Sequence, residues 1–272
     1  MPDILAENQV PPQGRLQIHV VVGHPSSDIG KGWMAAALAV KLGLDTPVIK
    51  IDPMLSPSFP AEIGFDLGGV VVTDDAATYL GRGLTFNPSM NIVMGQWLCQ
   101  TLQEPAHEQG RLDLNPLKNT HVDLGYKMAA NIDTLAAGHN TVIEVGGCPD
   151  DDETIIIAHA VRILLGRYRY EVYLHVVTAY DVAANAGGPT FKIRTPVRAL
   201  RTSLQTYYGV SLQNVRLYIR RANLSDIFTD QQLKEATVAV AFKLGLRPEQ
   251  VKYVPNLTRP EELDAYVIYE ED

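Results

Sequence analysis

Short apolar segments rich in strand-forming residues alternate with helical patterns along most of this chain. Several of these segments are apolar nearly throughout rather than at every second position. Strands that are buried on both faces of a parallel sheet have this composition. The predicted strands are LQIHVVV (16–22), PVIKI (47–51), GVVV (69–72), TVIEV (141–145), EVYLHVV (171–177) and NVRLYI (214–219).

The segments between and after these strands have helical patterns, and several end in glycine, a common helix terminator. Strands that alternate with helices predict an α/β fold with a doubly wound, mostly parallel sheet and helices on both faces. The predicted helices are WMAAALAVKLG (33–43), NIVMGQWLCQTLQ (91–103), VDLGYKMAANIDTLAAG (122–138), ETIIIAHAVRILLG (153–166), PVRALRTSLQTYYG (196–209) and DQQLKEATVAVAFKLG (230–245).

Length and composition are consistent with a single folded domain. The chain has 272 residues, of which 46% are hydrophobic, enough for a sizeable core. Residues 1–14 contain Pro11, Pro12 and Gly14 and are predicted to form a flexible arm, which leaves residues 15–272 as the domain.

Charge and cysteine usage exclude several classes of function. The net charge of −8 argues against a nucleic-acid partner. Cys99 and Cys148 form neither a disulfide framework nor a zinc-binding pattern, which fits a reducing compartment. The first residues lack a signal-peptide pattern, and no apolar run reaches membrane length. We therefore expect a soluble, cytoplasmic protein with no membrane partner.

The loop GHPSSDIGKG (23–32) joins a predicted strand to a predicted helix, as phosphate-binding loops do. It departs from the pattern G-x-x-x-x-G-K-[ST], because Pro25 and Gly32 replace the first glycine and the hydroxyl residue. Its backbone N–H groups can still surround an anion, and Lys31 adds charge. The predicted ATP-phosphate site comprises Ser27, Asp28, Ile29, Gly30, Lys31 and Gly32. The alternative is a Gly/Ser-rich turn with a surface lysine.

Together with later segments, this loop resembles the amidoligase (synthetase) domain of CTP synthase. SSDIGKG precedes an Ala-rich helix, VIKIDP and VVTDD, and IEVGGCPDDDE (143–153) resembles the family's E-I-G-G-T-V-G-D-I-E segment. FKIRTPVRALR (191–201) resembles its K-T-K-P-T-Q loop, and NVRLYIRRAN (214–223) resembles a late strand that ends in Arg. The resemblance covers about residues 16–265 and implies a P-loop NTPase-like fold.

The resemblance also implies a reaction and its catalytic residues. In CTP synthase, ATP phosphorylates the 4-oxygen of UTP with the help of Mg²⁺, and ammonia then displaces the phosphate. Lys31 would hold the outer phosphates of ATP, and Lys50 would stabilise charge during phosphoryl transfer. Glu144 would bind the metal, with Asp75 as a second candidate ligand. Alternatively, Lys50 could simply reach solvent at a strand end, and Glu144 could pair with a nearby lysine.

The acceptor site is implied by two further segments. Glycines after the third predicted strand would allow close approach of the substrate, acids that follow would contact its sugar, and a basic pair would face its triphosphate. The acids could instead cap the next helix, and the basic pair could belong to a solvated loop. The implied acceptor-binding residues are Gly146, Gly147, Asp151, Glu153, Lys192 and Arg194.

The chain also departs from the family. The acidic stretch that follows VVTDD in CTP synthase is replaced by AATYLGRGLTF (76–86), which has no acid, and the H-G-E that precedes VVTDD is replaced by LGG (67–69). The K-T-K-P-T-Q loop is shortened to KIRTP, and neither cysteine has the context of a glutaminase nucleophile. These differences favour nitrogen from free ammonia, a separate glutaminase subunit or another amine, and they leave the acceptor open.

Three functions remain compatible with the sequence. The preferred one is an ATP-dependent amidoligase of the CTP synthase type, acting on UTP or a related acceptor in pyrimidine biosynthesis. The second is a catalytically inactive protein that binds ATP or CTP and regulates or assembles with a partner. The third is a P-loop ligase of the dethiobiotin synthetase type with another acceptor. The family resemblance also implies a homodimer or homotetramer.

Overall fold

The structure is a computed structural model, and it describes twelve parts of the chain. They are residues 15–23, 30–43, 46–51, 115–145, 154–167, 170–185, 188–194, 197–202, 204, 208–221, 227–257 and 259–268.

Seven strands form one sheet, and all neighbouring pairs but one are parallel. Its order is β2-β3-β1-β4-β6-β7, and β5 forms an antiparallel hairpin with β4. This confirms the predicted α/β fold with a mostly parallel sheet, consistent with a P-loop-like doubly wound topology. The strands are β1 (Leu16–Gly23), β2 (Val48–Ile51), β3 (Thr141–Val145), β4 (Tyr170–Asn185), β5 (Gly188–Ile193), β6 (Val215–Arg221) and β7 (Val251–Val254).

Helices cover both faces of this sheet. One face packs against α1 and the C-terminal 3-10 helix Pro260–Tyr266, and the other packs against the remaining helices. None of the helices in the described ranges is both long and apolar enough to cross a membrane. The helices are α1 (Lys31–Leu42), α2 (Asn115–Ala136), α3 (Thr154–Leu165), α4 (Val197–Thr202) and α5 (Asp230–Leu244).

Local sequence accounts for the ends of α5. The side chain of Thr229 accepts a hydrogen bond from the N–H of Gln232 at 3.3 Å, and Gln232 accepts one from the N–H of Thr229 at 2.9 Å. This capping box satisfies N–H groups that have no partner within the helix. Gly245 ends the helix in the left-handed conformation with φ of 75°, which glycine adopts without steric penalty.

Several element boundaries differ from the predicted ones. β4 extends to Asn185, eight residues beyond its predicted end, and pairs there with β5, a segment predicted to be a loop. β7 was not predicted, and α2 begins at Asn115 rather than at residue 122. The α-helix predicted over 196–209 is described as α4 only as far as Thr202. The predicted strand 69–72 and helix 91–103 lie outside the described residues.

A chain of polar side chains, all buried except the half-buried Gln17, crosses the three central strands on the α1 face. Nε2 of His19 lies 3.3 Å from Oε1 of Gln17, and its Nδ1 lies 2.9 Å from Nε2 of His175. Nδ1 of His175 is 3.0 Å from the hydroxyl of Tyr218, which accepts the N–H of Ile268 at 3.2 Å. The chain therefore links β1, β4 and β6 to the C-terminal segment.

Candidate functional site

The N-terminus of α1 forms the described part of the predicted phosphate loop. Gly30 is the N-cap in the left-handed conformation, with φ of 79°, and its carbonyl accepts the N–H of Met34 at 3.0 Å. The first N–H groups of a helix have no acceptor within the helix, and the helix dipole adds partial positive charge at this end. Lys31 is buried there, with 8% of its surface exposed. This end of α1 is therefore suited to an anion.

Arg220, near the C-terminal end of β6, lies over Gly30 at the start of α1. A Cβ atom added to Gly30 would contact Nη1 of Arg220 and displace the end of this flexible side chain. The guanidinium carbon of Arg220 lies 5.4 Å from the centre of the Trp33 ring, within cation–π range. The start of α1 thus combines a helix N-terminus, the buried residue Lys31 and the guanidinium group of Arg220.

Lys50 and Glu144 form an ion pair between neighbouring parallel strands. They are register partners on β2 and β3, and Nζ of Lys50 lies 3.0 Å from Oε1 of Glu144. Their side chains are 16% and 5% exposed. Glu144 is also the register partner of Val21 on β1, two residues before the phosphate loop begins at Gly23. The predicted catalytic lysine and metal ligand are therefore brought together, and the lysine pairing considered above is observed.

The β4–β5 hairpin extends past the end of β1. β1 pairs with β4 up to Gly23, and farther along β4 the residue Tyr180 pairs with β6 on one side and β5 on the other. β5 therefore continues the position of β1 beyond the start of the phosphate loop. Lys192 lies within this strand, which corrects the loop predicted for the basic pair, and the N–H of Arg194 donates to the carbonyl of Ala179 at 2.8 Å.

Gly32 is buried in the first turn of α1. The structure does not describe the remaining predicted site residues. Among described residues, no cluster of three or more His, Cys, Asp or Glu side chains could hold a metal ion. Within the described residues, Glu144 is the candidate metal ligand, and its neighbour is the ammonium group of Lys50 rather than a second carboxylate. The predicted residues outside the described ranges are Ser27, Asp28, Ile29, Asp75, Gly146, Gly147, Asp151 and Glu153.

Parallel strands place these groups at one edge of the sheet. Lys50, Glu144 and Arg220 lie near the C-terminal ends of β2, β3 and β6, and Lys31 follows the C-terminal end of β1. Open α/β sheets bind their ligands at this edge. Two ammonium groups, one guanidinium group, one carboxylate and a helix N-terminus can together bind and polarise a polyphosphate.

Sequence reasoning gave no role to Arg220 or Trp33. NVRLYIRRAN carried the only signal for Arg220, as an arginine at the end of a predicted strand, and the sequence does not say which loop that strand end faces. The contact with Gly30 depends on β6 and β1 flanking β4 in the folded sheet. Trp33 follows the Gly-Lys-Gly triplet in the first turn of α1, where a large apolar residue reads as part of the core.

Comparison with known proteins gives one informative similarity. No family model matches the sequence. The chain is 26% identical over 236 residues to the CTP synthase of Protochlamydia amoebophila (strain UWE25), an alignment that covers 78% of this chain and 40% of that protein. The chain thus spans about two fifths of the length of this relative. The similarity supports a relationship to CTP synthase at the level of a domain.

Proposed function

We propose that this protein is an ATP-dependent C–N ligase of the CTP synthase type. It would transfer the γ-phosphoryl group of ATP to the 4-oxygen of UTP, or of a related acceptor, with release of ADP. Ammonia would then form the new C–N bond, and the phosphate would leave with the acceptor oxygen. The observation that carries this proposal is the convergence of Lys31, Arg220 and the Lys50–Glu144 pair at the C-terminal edge of the sheet.

Each described residue has a distinct role in this proposal. The N-terminus of α1 and Lys31 bind the outer phosphates of ATP. Arg220 lies beside them over Gly30 and adds positive charge near the nucleotide. Lys50 stabilises the negative charge that develops on the transferred group. Such groups accelerate phosphoryl transfer by position and charge, because that reaction needs little covalent chemistry from the protein.

Glu144 is the described residue that would hold a magnesium ion. It is a buried carboxylate at the carboxyl edge, and magnesium prefers oxygen ligands. When bound, the metal would neutralise phosphate charge. Lys50 already lies 3.0 Å from Oε1, so the lysine would have to share or yield this oxygen. Asp75 stays a predicted second ligand, and Lys192 and Arg194 stay predicted contacts of the acceptor phosphates.

The proposal is tested by incubating the purified chain with ATP, Mg²⁺, UTP and ammonium chloride. We expect CTP and ADP in equal amounts, measured by mass spectrometry, and no CTP when glutamine replaces ammonium. Lys31→Gln should lower the rate at least about 100-fold, because it removes a group that acts on the phosphates. Lys41→Gln is the matched control at the other end of α1, and it should retain activity.

A second candidate is a nucleotide-binding protein without ligase activity. The closed Lys50–Glu144 ion pair favours it, since the lysine occupies the carboxylate that a metal would need. The acidic stretch that the CTP synthase family carries is also missing from the sequence at 76–86. This candidate predicts ATP binding that Lys31→Gln weakens, with neither ADP nor CTP formed in the assay above. ADP without CTP would instead mean that water receives the phosphoryl group in this mixture, as in an ATPase or in a ligase whose own acceptor is missing from the assay.

A further inference from the structure

A cavity of about 480 Å³ opens between the β4–β5 hairpin and helices α4 and α5. This volume is within the usual range for a small-molecule site. The cavity lies on the face of the sheet opposite α1, since Tyr180 and Ile193 belong to the core cluster of the α2, α3 and α5 side. The cavity is therefore separate from the anion site at the N-terminus of α1. Its apolar lining comes from Tyr180, Phe191, Ile193, Val197, Ala239 and Val240.

The cavity wall has an apolar character that excludes most polar ligands. The one polar group among these apolar lining residues is the hydroxyl of Tyr180, which already bonds to Oγ1 of Thr237 at 2.9 Å and to the carbonyl of Leu233 at 3.3 Å. A nucleobase placed here would leave its own donors and acceptors without partners, which is costly. The body of the ligand must therefore be apolar.

Aromatic packing holds the wall in place. Phe191 meets Tyr180 edge-on, with ring centres 5.3 Å apart, and meets Phe228 in the same way at 5.0 Å. Both distances fall within the favourable range for aromatic pairs. The Phe191 ring is therefore held from two sides, so the cavity is a preformed surface against which an apolar body can pack.

The rim of the cavity carries only positive charge among the residues that line it. Arg194 and Lys243 contribute to the lining, and no acidic residue does. Lys192 also borders the cavity, but its side chain leaves β5 on the face opposite Phe191 and Ile193, since successive side chains of a strand point to opposite faces. Lys243 belongs to α5 and is exposed, so its ammonium group can meet a ligand from solvent. An anionic head at this rim, joined to an apolar body below, matches the charge and polarity of the cavity.

We propose that this cavity binds an amphipathic anion, which has an acyl or aryl body and a carboxylate, sulfonate or phosphate head. The site lies on the face of the sheet opposite the N-terminus of α1, where ATP is proposed to bind, and it shares Arg194 with the predicted contacts of the acceptor phosphates. The probes are decanoate, measured by titration calorimetry, and 8-anilinonaphthalene-1-sulfonate, measured by fluorescence. We expect saturable one-to-one binding of both, mutual competition between them, and no displacement by ATP.

Matched variants locate the binding. Ala239→Leu fills the cavity and should weaken both probes at least about tenfold, whereas Val238→Leu, on the same helix outside the lining, should change affinity less than about twofold. Lys243→Gln should weaken binding by about three- to tenfold, because it removes a charge-assisted contact. Lys234→Gln is the corresponding charge control, since Lys234 is exposed on α5 and does not line the cavity.

Binding at two other places must be distinguished from binding in the cavity. Phe242 is 87% exposed on α5 and could itself attract the fluorescent probe, so Phe242→Ser must leave the affinity unchanged. Vesicles of phosphatidylcholine and phosphatidylglycerol must not bind the protein in a cosedimentation assay, because the proposed ligand is a free small molecule. The proposal is overturned by non-saturable binding, by binding that Ala239→Leu leaves intact, by loss of binding in Phe242→Ser, or by displacement with ATP.

Discussion

Acidification should destabilise this protein through the polar chain at the centre of the sheet. Oε1 of Gln17 can only accept, so the facing Nε2 of neutral His19 must carry the proton and its Nδ1 must accept. Nε2 of His175 then donates to His19, and its Nδ1 accepts from the hydroxyl of Tyr218. The hydroxyl oxygen of Tyr218 accepts the N–H of Ile268, which leaves the hydroxyl proton free to donate to His175. A proton added to His19 would place two donors face to face, and one added to His175 would force the Tyr218 hydroxyl to turn its own proton away.

Burial keeps both histidines neutral. Desolvation, aided by the charge of Arg216, lowers the pKa of His19 from 6.5 to about 3. Desolvation together with the charges of His19 and Arg216 also lowers the pKa of His175 well below its ordinary value. Both pKa values are lower in the folded chain than in the unfolded one. The two neutral histidines therefore cost no stability above the unfolded pKa of 6.5, and the free energy of unfolding falls as the pH drops below it.

The loss of stability arises because each histidine binds a proton in the unfolded chain but stays neutral in the folded one. Between about pH 7 and about pH 5, each should reduce the free energy of unfolding by about 2 kcal/mol, which gives about 4 kcal/mol for the pair. His175→Gln keeps one donor and one acceptor but cannot titrate, so about half of this loss should disappear.

The assay is urea unfolding followed by circular dichroism at the two pH values, for wild type and for each variant. His139→Gln, which removes an exposed histidine after α2, is the control and should leave the pH dependence as it is. If His175→Gln loses as much stability on acidification as wild type does, the neutral, directional chain described here is wrong. The quantity compared is the change in unfolding free energy between the two pH values, since the substitution can also change stability equally at both.

Three further predictions concern packing and charge, and each is measured as a change in the free energy of urea unfolding without ligand. Lys50→Met should destabilise the fold by about 3 kcal/mol, because Glu144 would keep a buried charge; a change near zero would show that the pair is not desolvated. Gly30→Ala and Gly138→Ala, with φ of 79° and 85°, should each cost the roughly 1–2 kcal/mol of a left-handed conformation, since Arg220 can move away from the new methyl group at position 30; a cost near zero at either position would contradict these backbone conformations. Gly125→Ala should destabilise the fold by about 1–2 kcal/mol although alanine favours helix more than glycine, because the new Cβ would lie 2.7 Å from Cβ of His159 on α3. A stabilising effect would contradict this packing.

Local patterns in the sequence account for the α/β fold and for the start of α1. Apolar strand runs and glycine helix ends are local properties, and they correctly predict the strands from β1 to β4 that are described, as well as β6 and α5. The glycine-lysine-glycine triplet also predicts a helix N-terminus where Gly30 and Lys31 form one.

What the sequence missed depends on contacts between distant segments. β5 has the sequence GPTFKI, whose glycine, proline and lysine suggest a loop, and it is a strand because β4 continues beside it. The Lys50–Glu144 distance depends on the register between β2 and β3, which neither strand encodes alone. The approach of Arg220 to Gly30 depends on the strand order of the sheet.

The central claim is that the protein transfers a phosphoryl group to an acceptor oxygen that ammonia then replaces. The most direct test follows that oxygen, using UTP labelled with ¹⁸O at position 4 together with ATP, Mg²⁺ and ammonium chloride. The account predicts that the inorganic phosphate carries one ¹⁸O atom for each CTP formed, as measured by mass spectrometry. Unlabelled phosphate accompanied by ADP would mean that water receives the phosphoryl group, and the absence of both products would mean that no transfer occurs; either result would contradict the account.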